Sequence, residues 1–116
     1  MIHLYGIPNC DTVKKARTWL QAQGLDHTFH DFKKQAPTAE LSLSWAKAVG
    51  WNTLINQRGT TWRGLEDVVK AAVVDEASAA AVASANPSVI KRPVVVWPDG
   101  AVTVGFQAEA WAARQR

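Results

Sequence analysis

Cys10 is the only cysteine in the chain and its strongest candidate nucleophile. It lies in Tyr5-Gly6-Ile7-Pro8-Asn9-Cys10-Asp11-Thr12-Val13-Lys14-Lys15, where an apolar segment ends, the chain turns, and a basic amphipathic run begins. The thiolate, not the thiol, attacks electrophilic centres, and an ordinary thiol is mostly protonated at neutral pH. A helix starting at Cys10 offers unpaired N–H groups and about half a positive charge, both of which favour the anion. Lys14, Lys15 and Arg17 add positive potential, and Asp11 opposes them. The competing reading is a buried structural cysteine, since free cysteines are among the most buried residues. Placement after Gly-x-Pro-Asn at a basic helix start favours the nucleophile. Val13 stands three residues on, so a C-x-x-C dithiol cycle is excluded. Any resolving thiol must come from glutathione or another protein.

The elements around this turn follow from apolar spacing. Ile2 to Tyr5 alternates as a short strand, Ile2 and Leu4 on one face, His3 and Tyr5 on the other. Cys10 to Gln23 is helical, with Val13, Ala16, Leu20 and Trp19 as its apolar stripe and Gly24 as a C-terminal cap. Asp26 to Phe32 is strand-like, and a crossover of that length makes the two strands parallel. Thr38 caps a helix whose predicted stripe is Leu41, Trp45, Ala48 and Val49, ending at Gly50. Trp51–Asn56 is ambiguous, Gln57–Gly64 reads as a loop, and Leu65–Val73 and Glu76–Ser84 read as helices stopped by Asn86-Pro87. Ile90 to Trp97 is a central strand, Pro98-Asp99-Gly100 a hairpin turn, Ala101 to Val104 the returning strand, and Gln107 to Arg114 a last helix.

The order β-α-β, helical insertion, β-β-α predicts an α/β fold: a four-stranded mixed sheet of thioredoxin-like (glutaredoxin-like) architecture. Residues 1–33 and 90–116 form its core and about 34–89 the inserted helical subdomain, all in one domain of 116 residues. In such folds a proline where Pro93 stands faces the active-site helix and is usually cis. Arg92, just before it, and Arg58, in its Gly/Thr loop, are candidate anion ligands. On spacing alone, a solvated surface charge is the simpler reading of either. Asn9 and Lys14 join them as candidate substrate contacts, and Thr12, Pro93 and Gly105 as residues shaping the cleft. Lys14 and Lys15 could attract a glutathione carboxylate, and backbone beside Pro93 could pair with a peptide-like substrate.

Composition narrows the classes. A net charge of +3 without basic clustering suits an anionic substrate and predicts no nucleic-acid partner. One cysteine excludes an internal disulfide and a Cys-rich zinc site. The three histidines lie on strands, His27 and His30 on opposite faces, so no metal site is expected. Met1–Tyr5 lacks the pattern of a signal peptide, and no stretch approaches a spanning helix. A reduced, cytoplasmic setting without membrane attachment is expected.

Three separated motifs carry a family resemblance: Gly-Ile-Pro-Asn-Cys-Asp-Thr-Val-Lys-Lys-Ala from Gly6, Gln-Arg-Gly-Thr-Thr-Trp-Arg from Gln57, and Ile-Lys-Arg-Pro-Val-Val-Val from Ile90. In order and over nearly the whole chain, they resemble the arsenate reductase (ArsC) family. The likeness is greatest to its YffB-like branch of glutathione-dependent thiol reductases, related to the Spx regulators. The resemblance implies Cys10 as nucleophile, and Arg58 and Arg92 as two of the family's three oxyanion-binding arginines. The third falls where this chain has Val104-Gly105-Phe106, with Gly105 in its place. Losing that charge-assisted bond removes roughly 1.5 to 3 kcal/mol from oxyanion binding. The implied activity is therefore a single-cysteine, glutathione-dependent thiol reductase with no bound cofactor. Glutathione is the co-substrate, a small thiol adduct or oxyanion the substrate, and glutaredoxin a further partner. Arsenate reductase proper, and a non-catalytic Spx-like interaction protein, remain the alternatives. The Gly-Phe ending is shared with the Spx side, but the Spx C-x-x-C switch is lacking.

Overall fold

The computed structural model describes residues 1–115. The chain forms two compact units: Lys34–Lys91, and Met1–Lys33 together with the chain from Arg92 onward.

The second of these holds the sheet. Its elements are β1 (Ile2–Gly6), α1 (Asp11–Ala22), β2 (His27–Asp31), β3 (Val94–Val96), β4 (Val102–Val104) and α7 (Ala108–Arg114). The strand order is β2-β1-β3-β4; β1 and β2 are parallel, and the other two pairings are antiparallel. This is the thioredoxin-like mixed sheet. Register places Leu4 opposite both Phe29 and Val95, so these side chains share one face. Ile2, Leu4, Val95 and Trp97 there form one buried cluster with Val13, Ala16 and Leu20 of α1 and Trp111 of α7. Fully burying one such aliphatic side chain stabilises by about 1.5 to 3 kcal/mol.

Helix α1 ends as its sequence predicts. Gly24 adopts φ 68°, its N–H bonds to the Gln21 carbonyl, and Leu25 N–H bonds to that of Leu20 at 2.9 Å. Those are the two reverse bonds of a Schellman cap. The third strand is shorter than the predicted Ile90–Trp97. Ile90 bridges to Ile55 instead, and Pro93 has no N–H to give a ladder. Gly100, at φ 88°, closes the following turn by donating to the Trp97 carbonyl.

The other unit is helical: α2 (Ala39–Val49), α3 (Trp51–Leu54), α4 (Thr60–Arg63), α5 (Asp67–Ala71) and α6 (Glu76–Ala85), then a 3-10 turn at Pro87–Val89. Thr38 caps α2 as predicted, its hydroxyl accepting from Leu41 N–H. The buried face of α2 is Ser42, Trp45 and Ala46, one position off the predicted stripe, and Ala48 is exposed. The reason is its partner. α2 packs along α6, whose buried Ala79, Ala80 and Ala83 are small enough for close approach. The predicted loop Gln57–Gly64 contains one helical turn, and the ambiguous Trp51–Asn56 starts with another. The helix predicted over Leu65–Val73 is only the short α5. Among the described residues no helix is long and apolar enough to cross a membrane.

Candidate active site

The thiol turn is built by local geometry. Cys10 is the N-cap of α1 in extended conformation (φ −86°, ψ 126°). Its N–H bonds to the Ile7 carbonyl at 3.3 Å, closing the Ile7–Cys10 turn. Its carbonyl accepts the first helical bond, from Lys14 N–H at 2.9 Å. The N–H groups of Asp11, Thr12 and Val13 therefore lie ahead of the first bond of the helix. The Cys10 side chain makes no capping bond, so Sγ is not spent on its own helix. It is half-buried and packs against the cluster that holds Val13, Leu20 and Trp111, as do Trp19 and Phe106.

Gly6 makes this placement feasible. A Cβ there would come within 2.8 Å of Val13 Cγ2, so only glycine lets the end of β1 approach α1 this closely. Asn9, Thr12 and Lys14 are exposed around the thiol, as are Asp11 and Lys15.

In the same unit, the Arg92–Pro93 peptide is cis and Pro93 is buried. Arg92 is half-buried. The Pro93 carbonyl accepts the N–H of Gly105 at 2.9 Å, and Gly105 has φ 79°. Gly105, where the resemblance implies an arginine, is thus a left-handed turn tied to the cis proline.

Arg58 belongs to the helical unit. It is exposed and lines a cleft of about 330 Å3 with Asn52, Thr53, Asn56, Gln57 and Lys91. The bridge between Ile55 and Ile90, with Asn56 N–H on the Val89 carbonyl and Lys91 N–H on that of Leu54, sets the two cations in one cleft. Neither cation has a carboxylate partner among the described residues. Lys91 was not singled out by the sequence; its signal is the bridging of Ile90 to Ile55, which spacing alone does not reveal. The described residues contain no group of three or more His, Cys, Asp or Glu side chains arranged to hold a metal ion.

Residues 5–114 match the family model for ArsC. The chain belongs to the ArsC family. A protein of Haemophilus influenzae is 39% identical over 113 residues, 97% of each chain. The solved structure of the YFFB protein is 44% identical over 97% of each chain, with a TM-score of 0.90. An arsenate reductase (ArsC) related protein from Brucella melitensis is 45% identical, covering 99% of this chain and 94% of that one, with a TM-score of 0.73. Within this ArsC chain, the helix start at Cys10 and the Arg92–Pro93 junction lie on one unit and the Arg58 cleft on the other.

Proposed function

We propose that this ArsC-family chain is an oxidoreductase that reduces small thiol adducts through Cys10, with glutathione as the resolving thiol. The observation that carries the reading is the half-buried Sγ at the start of α1, without a capping bond of its own. The Cys10 thiolate attacks one sulfur of a mixed disulfide, forming a Cys10–S–S–glutathione bond and releasing the other thiolate. A glutathione thiolate then attacks the glutathionyl sulfur. Cys10 is released as thiolate and glutathione disulfide departs. The net change is one free glutathione thiol oxidised and the substrate's own sulfur released as a thiol, the other glutathione sulfur having entered already oxidised in the mixed disulfide.

Lone-thiol chemistry suits this cycle, because the described chain holds no second cysteine to resolve the adduct. Arg58 and Lys91 supply positive charge for an acidic ligand such as glutathione, which carries two carboxylates. On the unit that carries Cys10, Arg92, Asn9 and Lys14 are the candidate substrate contacts. A free, reducing thiol of this kind is suited to the cytoplasm.

Arsenate reduction is the second reading, favoured by the Arg58 and Arg92 motifs and opposed by Gly105. A glutathione-coupled turnover assay on arsenate and on a mixed disulfide, with Cys10→Ser as control, separates them. Turnover of the disulfide well above that of arsenate supports the proposal. Turnover of arsenate alone favours the second reading. Absence of Cys10-dependent turnover of either substrate overturns the enzyme reading and leaves an interaction protein.

A further inference from the structure

His3 on β1 and His30 on β2 are 27 residues apart in sequence, yet His3 Nδ1 and His30 Nε2 lie 2.9 Å apart. Parallel pairing sets Tyr5 opposite His30, and His3 is two residues before Tyr5 on the same face. The ring centroids are 5.2 Å apart, much farther than the two nitrogens. The rings therefore meet end-on, nitrogen to nitrogen. At 2.9 Å the two nitrogens stand at hydrogen-bond distance, the geometry of one shared proton.

We infer that His3 and His30 form a clasp between β1 and β2 that holds at most one excess proton and opens in acid. A hydrogen bond between two imidazoles needs one donor nitrogen and one acceptor nitrogen. Both neutral, or one charged and one neutral, satisfies it. Two imidazolium rings present N–H to N–H and place two like charges in contact.

The surroundings do nothing to relieve the second charge. Tyr5 of β1 stacks on His30 at 4.3 Å with the rings 14° from parallel, and its phenol is neutral throughout the acid range. Burial raises the Tyr5 phenol further above its usual range. From β2 the same face carries Thr28, and from β3 Val94 and Val96, none of them charged. His27 and Asp31 alternate to the opposite face, and the Asp31 carboxylate accepts the Lys33 N–H. Neither imidazole is paired with a carboxylate among the described residues. Burial, and secondarily the neighbouring His3, lower the His30 imidazole below its ordinary value. Its folded value lies below its unfolded one, so the unfolded chain binds the proton first. Stability is then present above about pH 6.5 and declines as pH falls through that value.

The test is an NMR titration of the imidazole carbons in the intact protein from about pH 8 to 5. The expected result is a His30 midpoint below the ordinary imidazole value of about 6.5, moving upward in His3→Gln. A His30 midpoint at or above that value, or one unmoved by that substitution, overturns the inference. Hydrogen exchange on the unaltered protein gives a second reading that does not depend on a variant folding. After correction for intrinsic rates, amides bonded across β1 and β2 are expected to lose protection roughly three- to tenfold between pH 7.5 and 5.5. Those bonded across β3 and β4 lose less. Equal losses in both ladders, or none in either, overturn it.

Discussion

The backbone N–H of Gly105 and the carbonyl of Pro93 are joined across 2.9 Å, tying the turn after β4 to the residue that opens β3. Gly105 stands at φ 79°, which a residue with a Cβ occupies only at a cost. At Gly105, backbone conformation bears on any side chain placed there. Gly105→Ala and Gly105→Arg should lose a similar amount of stability, about 1 to 2 kcal/mol, because the cost arises at Cβ. Urea unfolding of both variants measures it; a loss confined to the arginine variant would show that side-chain charge or size, and not backbone conformation, is responsible.

Cys10 donates and accepts the turn bonds through its backbone, not its sulfur. Cys10→Ser is therefore expected to change stability by less than about 1 kcal/mol while eliminating thiol turnover. Iodoacetamide labelling should vanish with it, since no other cysteine exists. Turnover that survives the substitution would transfer the chemistry elsewhere.

The cleft cations predict a graded effect. Arg58→Ala and Lys91→Ala should each raise KM for an acidic thiol adduct several-fold, up to about tenfold, with kcat changed less by Lys91→Ala. Both side chains are exposed, so water screens them and the lower part of that range is expected. A substrate lacking carboxylates should be insensitive to Lys91→Ala, which is the internal control.

Trp111 makes edge contacts with Trp97 at 5.1 Å, Phe106 at 4.8 Å and Trp19 at 5.8 Å. It brings α7 onto the same cluster as Cys10. Trp111→Ala is expected to cost about 3 to 5 kcal/mol and to erase much of the near-ultraviolet circular dichroism of the aromatic cluster. A loss below 1 kcal/mol would mean that α7 contributes little to the core.

Asp75 predicts a pH effect of opposite origin to that of the histidines. Its carboxylate accepts from Ser78 Oγ at 2.7 Å and from Ser78 N–H at 2.8 Å, and these bonds hold it below the usual carboxylate value. The folded value is depressed, so the contribution is present above the unfolded value near 3.8 and is lost as pH falls through the folded one. Asp75→Asn should flatten the acid limb of the unfolding curve below about pH 4. An acid limb identical to that of the parent would remove Asp75 from this role.

Much of the sheet was legible along the chain, because side-chain alternation and short-range hydrogen bonding are local. Ile2 and Leu4 share the buried face by the period of a strand, Thr38 caps by reaching three residues on, and Leu25 and Gly24 end α1 through bonds to its last turn. The Gly-x-Pro-Asn turn likewise puts Cys10 at a helix start with no help from distant residues. What the chain order could not decide was which faces meet. Whether α2 buries Leu41 or Ser42 depends on the alanines of α6, more than thirty residues away, and Trp19, Trp97 and Trp111 become one cluster only when both helices lie on the same sheet face. Lys91 joins Arg58 through a single bridge between Ile55 and Ile90, and His3 meets His30 through parallel register. Local spacing therefore determined the lone cysteine at the start of its helix. Tertiary pairing alone decided its aromatic support, the second cation of the cleft and the histidine clasp, because each arises where two surfaces that are remote in sequence are forced into contact.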